Sequence, residues 1–230
     1  MNLHIALVGG NEFQNGCEDM DEEILKTIGV RRPKVVILPT AAAKENPLKS
    51  ASNGISYFSR LGTEASAMMI LSKKEAMNND FMSPINKADL VYITGGNPEQ
   101  LLNTLRESYL LKKLIHILNR GAVLVGSSAG AMVFGSRMHF NKWTKALSIL
   151  HDIAILPHHE HSNPSDITRK LRNVTPTLTT ALGIDSMTCC FNNRNKWEVY
   201  GRGTVTVYSG NEWAQYKNGG TIPIPNPQSY

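Results

Sequence analysis

Residues 126–131 read GSSAGA, directly behind the apolar run Ala122-Val123-Leu124-Val125. Within this stretch, Gly126-Ser127-Ser128-Ala129-Gly130 satisfies the pattern G-x-S-x-G. That pattern holds a serine on a strand-to-helix turn too tight for side chains two positions to either side. Only Ser128 has glycine at both of those positions, since Ser127 has Val125 and Ala129. A serine so presented can attack a carbonyl carbon, and the following helix aims its N-terminus at the developing charge. The competing reading is a small-residue bend whose serines cap the helix.

A serine nucleophile needs a base, usually histidine. Of the seven histidines, His4 opens a strand and His116 lies in an amphipathic helix, so both read as structural. His158, His159 and His161 cluster in LPHHEH, behind the apolar run Ile153-Ala154-Ile155-Leu156. A sixth strand there brings them to the carboxyl edge that Ser128 occupies, the edge where open α/β sheets bind ligands. Donors for the oxyanion are also required. The backbone N–H of Ala129 is one candidate. Gly95-Gly96-Asn97, ending a neighbouring strand, offers a second, because glycine lets the backbone approach closely. Asn97-Pro98 also reads as the N-cap and first residue of a helix.

The segments that position these residues alternate in type. Residues 3–8, 35–38, 65–71, 89–94 and 123–126 are short apolar runs that read as strands. Residues 20–28, 55–61 and 99–119 read as helices, the last carrying apolar residues at spacings of three and four. Such strands between such helices predict a mostly parallel, flavodoxin-like α/β sheet with helices on both faces. After residue 180, strand-like pieces at 188–191, 197–200, 204–208 and 212–216 predict antiparallel hairpins appended to that sheet. One domain over residues 1–230 is expected, ending in an extended, proline-rich TIPIPNPQSY.

The formal charge of +5 is scattered, with its densest cluster only Arg169, Lys170 and Arg172, which argues against a nucleic-acid face. No run is long and apolar enough to span a bilayer. The three cysteines are odd in number, and the neighbours Cys189 and Cys190 would point to opposite faces of a strand. That is no disulfide framework, and a reducing, cytoplasmic setting is expected.

With these pieces assembled, the chain resembles the serine peptidase family of cyanophycinase and aspartyl dipeptidase (dipeptidase E). The likeness runs through LVGG at 7–10, VVILPTAAA at 35–43, ITGGN at 93–97, GSSAGA, LPHH, and LGID at 182–185. It implies the class I glutamine amidotransferase-like fold, a small peptide substrate, and neither metal nor organic cofactor. It also implies Ser128 as nucleophile, His158 as general base, and Gly96 with Ala129 as oxyanion hole. Cyanophycinase-like members continue Gly-Ile-Asp with a glutamate that completes the triad, whereas Ser186 stands here. Dipeptidase-type members carry an aspartate between serine and histidine, in a segment that here reads RMHFNKWTKAL and has no acid. Asp185 is taken as the acid, with Glu160 and Asp152 as the other candidates. Asn97, His159 and Arg169 are expected to meet substrate, which in this family is an aspartyl peptide or a β-linked aspartyl-arginine polymer. Nucleic acid and membrane are not expected as partners, and homodimerisation is left open.

Five other readings compete with this one. An ordinary α/β-hydrolase places its histidine after the acid and near the C-terminus, yet no histidine follows His161. In an extended segment His158 with Glu160, or His159 with His161, share a face and resemble zinc ligands, but no further ligand cluster accompanies them. Glutamine amidotransferases share the fold and use cysteine where Ser128 stands. LVGGNEF follows a strand but lacks G-x-G-x-x-G and a P-loop lysine. The non-enzymatic alternative is a binding or regulatory protein that keeps the scaffold with a disabled triad.

Overall fold

The apolar runs at 5–8, 35–38, 90–93 and 123–127 are strands because each buries both of its faces, one residue up and the next down. In the computed structural model, which describes residues 4–172 and 180–224, they form the centre of an α/β fold. The chain opens with β1 (Ile5–Val8), α1 (Glu18–Lys26), β2 (Lys34–Leu38), α2 (Pro47–Arg60) and β3 (Glu64–Ala67). Two short helices, α3 (Lys73–Ala76) and α4 (Ser83–Asn86), lead to β4 (Leu90–Ile93), α5 (Pro98–Leu105) and α6 (Tyr109–Asn119). Then come β5 (Val123–Ser127), α7 (Ala129–Phe134), β6 (Arg137–Phe140), β7 (Lys142–Lys145), β8 (Ile153–Leu156) and α8 (Pro164–Leu171). The chain continues with β9 (Thr180–Ile184), β10 (Thr188–Asn193), β11 (Lys196–Gly201), β12 (Thr204–Ser209), β13 (Glu212–Lys217) and β14 (Thr221–Ile222).

Among the described residues, the main sheet has eight strands in the order β14-β11-β10-β1-β5-β4-β2-β3. From β1 to β3 every pairing is parallel, while β10, β11 and β14 are antiparallel. Ile5, Leu7, Val36, Leu38, Val91 and Ile93 face a layer built by α5, α6 and α7. Their neighbours Ala6, Val8, Val35, Ile37 and Tyr92 face α1 and α2, against Met20, Ile24, Tyr57 and Phe58. Three helices start with the same pair, Asn46-Pro47, Asn97-Pro98 and Asn163-Pro164. In each the asparagine side chain accepts a backbone N–H of the first turn while proline supplies the preset first helical φ.

A second sheet of six strands, β13-β12-β9-β8-β6-β7, stands beside the first. Here the structure departs from the sequence expectations. Strand β8 belongs to this sheet and not to the main one, and only some of the late strands extend the main sheet. Residues 137–145, which gave no strand signal, form the β6–β7 hairpin. The expected helix over 99–119 is two helices, broken where Glu107 takes φ 53°. Ser108 closes the break, donating to Leu105 O at 2.7 Å and accepting from Leu111 N at 3.0 Å. The apolar spacing runs through because both helices pack on the same layer. Residue 3 and residues 225–230 of the proline-rich end lie outside the described residues. Among the described residues, no helix is long and apolar enough to cross a membrane.

Candidate active site

Ser128 joins β5 to α7 at φ 48°, ψ −108°, outside the regions that L-residues ordinarily occupy. The surrounding fold holds it there, with its N–H donating to Val8 O at 2.9 Å. The flanking glycines are steric necessities: a Cβ on Gly126 would lie 2.5 Å from Gly130 C, and one on Gly130 2.5 Å from Ile93 O. Ser127 is buried, and its hydroxyl donates to Glu12 Oε2 at 2.8 Å. The other Glu12 oxygen accepts Gly95 N–H at 2.7 Å. Glu12 thus ties β5 to the loop after β4, a role that sequence reading missed although the residue stands two places after Gly9-Gly10.

His158 reaches the serine from the second sheet. It follows β8 with φ 51°, and its N–H donates to Gly9 O at 2.9 Å. Its Nε2 lies 3.0 Å from Ser128 Oγ. Gly10, at φ +126°, makes room for the ring, since a Cβ there would fall 2.1 Å from His158 Cε1. The other ring nitrogen, Nδ1, lies 3.1 Å from Ser186 Oγ. Ser186 in turn donates to Glu160 by its hydroxyl, at 2.9 Å, and by its N–H, at 3.0 Å. Burial pushes the Glu160 carboxyl up, but these bonds, its own backbone N–H and the charge of His158 outweigh it and hold the group below the usual carboxylate range.

The remaining predicted residues are distributed differently. Asp185, the expected acid, faces away: its Oδ2 accepts Thr204 N–H at 2.8 Å, at the start of β12. Its neighbour Ser186, in the turn between β9 and β10, holds the place beside the imidazole. Asp152 precedes β8 and so sits at the far end of that strand from His158. His159 is buried with its Nε2 2.6 Å from Tyr208 Oη, and burial pushes its pKa down, so it packs beneath the site without lining it. Asn97 caps α5 through Gln100 N–H. Arg169 is exposed on α8 and pairs with Asp166. Among the described residues, no three His, Cys, Asp or Glu side chains converge on a metal position.

Backbone donors flank the serine. Gly95 N–H is taken by Glu12 and Asn97 N–H by Ala41 O at 2.8 Å, with Gly96 between them at φ +137°. A Cβ on Gly96 would lie 2.5 Å from Ala41 C, so only glycine fits. Ala129 holds the first position of α7, where an N–H has no acceptor within the helix. Gly96, Ser128 and His158 line one open cavity of about 390 Å³. Its lining includes polar side chains, Asn46, Lys49, Ser50 and Asn53 from the cap and first half of α2, and Asn11 and Gln14 after β1.

Fold and site together define a hydrolase-like α/β protein with a half-buried serine and an exposed histidine paired over a polar pocket. The chain belongs to peptidase family S51, whose model matches residues 5–196, and it is accordingly a serine-type peptidase. The cyanophycinase of Geminocystis herdmanii is 23% identical over 239 residues, covering 97% of this chain and 86% of that one. An uncharacterised peptidase of Listeria monocytogenes is 24% identical over 148 residues, 60% of this chain and 71% of its own. Among solved structures, a peptidase from an acI-B1 Actinobacterium matches with TM-score 0.86 at 25% identity, over 97% of this chain and 98% of that one. A putative peptidase E protein of Listeria monocytogenes EGD-e shares the fold at TM-score 0.59 and 18% identity, over 94% and 98%.

Proposed function

We propose that the protein hydrolyses small peptides by acyl transfer through Ser128, with His158 as general base and acid. The observation that carries this reading is the 3.0 Å approach of Ser128 Oγ to His158 Nε2 at the edge of a polar cavity. Ser128 Oγ attacks the scissile carbonyl carbon and its proton passes to Nε2. The oxyanion is held by the N–H groups of Gly96 and Ala129, worth about 3–4 kcal/mol per donor in comparable sites. When the C–N bond breaks, His158 returns the proton to the leaving amine. Water then attacks the acyl ester by the same steps in reverse, and Ser128 recovers its proton.

A volume of about 390 Å³ lies at the small end of ligand sites, which suits a short peptide better than a folded chain. The polar lining suits a charged or amide-rich one. The resemblance to cyanophycinase and aspartyl dipeptidase, with cyanophycinase among the relatives, makes aspartyl peptides the first substrates to assay. The three described cysteines are free and buried, which agrees with a reducing, cytoplasmic setting. The test is labelling with a fluorophosphonate serine probe. Wild type is expected to label, while Ser128→Ala and His158→Ala do not. A folded wild type that takes no label supports instead a binding protein with a disabled site.

A further inference from the structure

The Ser186 hydroxyl carries one proton and two lone pairs. Its proton is directed to Glu160, because an ionised carboxylate can only accept, and Glu160 Oε1 lies 2.9 Å away. Ser186 therefore turns a lone pair toward His158 Nδ1, at 3.1 Å, and Nδ1 must carry the hydrogen. Nε2 is then unprotonated where it meets Ser128 Oγ, the tautomer a general base requires. We propose that Glu160 supplies the acid function of this site, acting on His158 through the Ser186 hydroxyl, and that Asp185 does not. Both Glu160 and Ser186 are positioning residues, since neither touches the reacting atoms.

The geometry explains how a chain with serine at the expected glutamate position keeps an acid. The side chain two residues after His158 folds back across the strand end. It is held at both oxygens by one residue, through its hydroxyl and its N–H. The interposed hydroxyl fixes the tautomer as a directly bonded carboxylate would, because that choice depends only on a lone pair facing Nδ1. It leaves the negative charge one hydroxyl further from the imidazole, so it supports the imidazolium less. Loss of Glu160 should therefore slow the enzyme by less than the roughly 10⁴-fold seen where a directly bonded acid is neutralised.

The role of an acid rests on the Ser128–His158 chemistry proposed above, whereas the tautomer does not, and two readouts keep them apart. The first is ¹⁵N NMR of the histidine-labelled full chain at a pH where His158 is neutral, assigned by the signals missing from His158→Ala. The second is the rate of fluorophosphonate labelling. Wild type is expected to show His158 protonated at Nδ1. In Glu160→Gln and Ser186→Ala the population should move toward Nε2–H, and labelling should slow about 10- to 100-fold. Asp185→Asn, whose amide oxygen still accepts Thr204 N–H, should leave both unchanged. An Nε2–H tautomer in wild type overturns the proposal. So does an unchanged tautomer in Glu160→Gln, or an Asp185→Asn that reproduces the defect. If wild type takes no label but its tautomer depends on Glu160, the relay stands and the peptidase reading falls.

Discussion

At the scale of single residues, the site is assembled as much by missing side chains as by present ones. Gly10 is the sharpest case, because a methyl group there would sit 2.1 Å from His158 Cε1 on a backbone at φ +126°. Gly10→Ala is expected to push the imidazole off Ser128 and cut labelling at least tenfold in a protein that still folds. Unchanged labelling would show that the ring does not need this position. Glu12 gives a second prediction. Removing its carboxylate in Glu12→Ala leaves Gly95 N–H and the buried Ser127 hydroxyl without a partner, at about 1–3 kcal/mol. Glu12→Gln should be far milder: its amide oxygen can accept Gly95 N–H, and the Ser127 hydroxyl can turn to accept from the amide NH₂. Chemical denaturation of the two variants checks this, and equal destabilisation would count against the bridge.

At the scale of elements, α1 and α2 are joined across one face of the main sheet by a buried bond, Tyr57 Oη donating to Asp21 Oδ2 at 2.7 Å. Burial pushes Asp21 up to about 7, well above its ordinary value. The folded chain thus holds a proton that the unfolded chain releases near pH 4. Stability from this group is complete below that pH and falls as pH rises toward 7. Asp21→Asn keeps an acceptor for Tyr57 and cannot ionise. Its melting temperature relative to wild type should climb between pH 5 and pH 8, by the equivalent of about 1 kcal/mol or more. A constant difference across that range would refute the titration. The short loop between α5 and α6 shows the limit of pattern reading at this scale. Apolar periodicity reports which layer a residue faces, and two helices facing one layer carry a single rhythm across a break.

At the scale of the whole molecule, the Ser128–His158 pair is drawn from two sheets. Ser128 ends β5 of the first, while His158 follows β8 and Ser186 follows β9 of the second. The Gly9-Gly10 turn stitches them together, accepting His158 N–H on Gly9 O and Met187 N–H on Gly10 O. Labelling should therefore be lost in the same thermal transition as secondary structure, with no step in which one sheet melts ahead of the other. Two resolved transitions by circular dichroism would argue for separable units and against one domain.

The parallel centre of the fold and the turn bearing Ser128 were legible from the residues alone. Strands apolar on both faces and glycines two places from a serine are local patterns with few other uses. The sequence also brought the histidine cluster to the right edge, and the family resemblance singled out His158 within it. Which side chain meets His158 Nδ1 is settled by the packed fold. Asp185 and Ser186 are adjacent in the short connection between β9 and β10, so a rotation of one residue exchanges them. That rotation is set by Thr204 on a strand nineteen residues away, which binds the Asp185 carboxylate. A carboxylate reaching an imidazole through a neighbour's hydroxyl leaves no spacing rule in the chain, because its three members come from two loops that meet only when β8 and β9 pair.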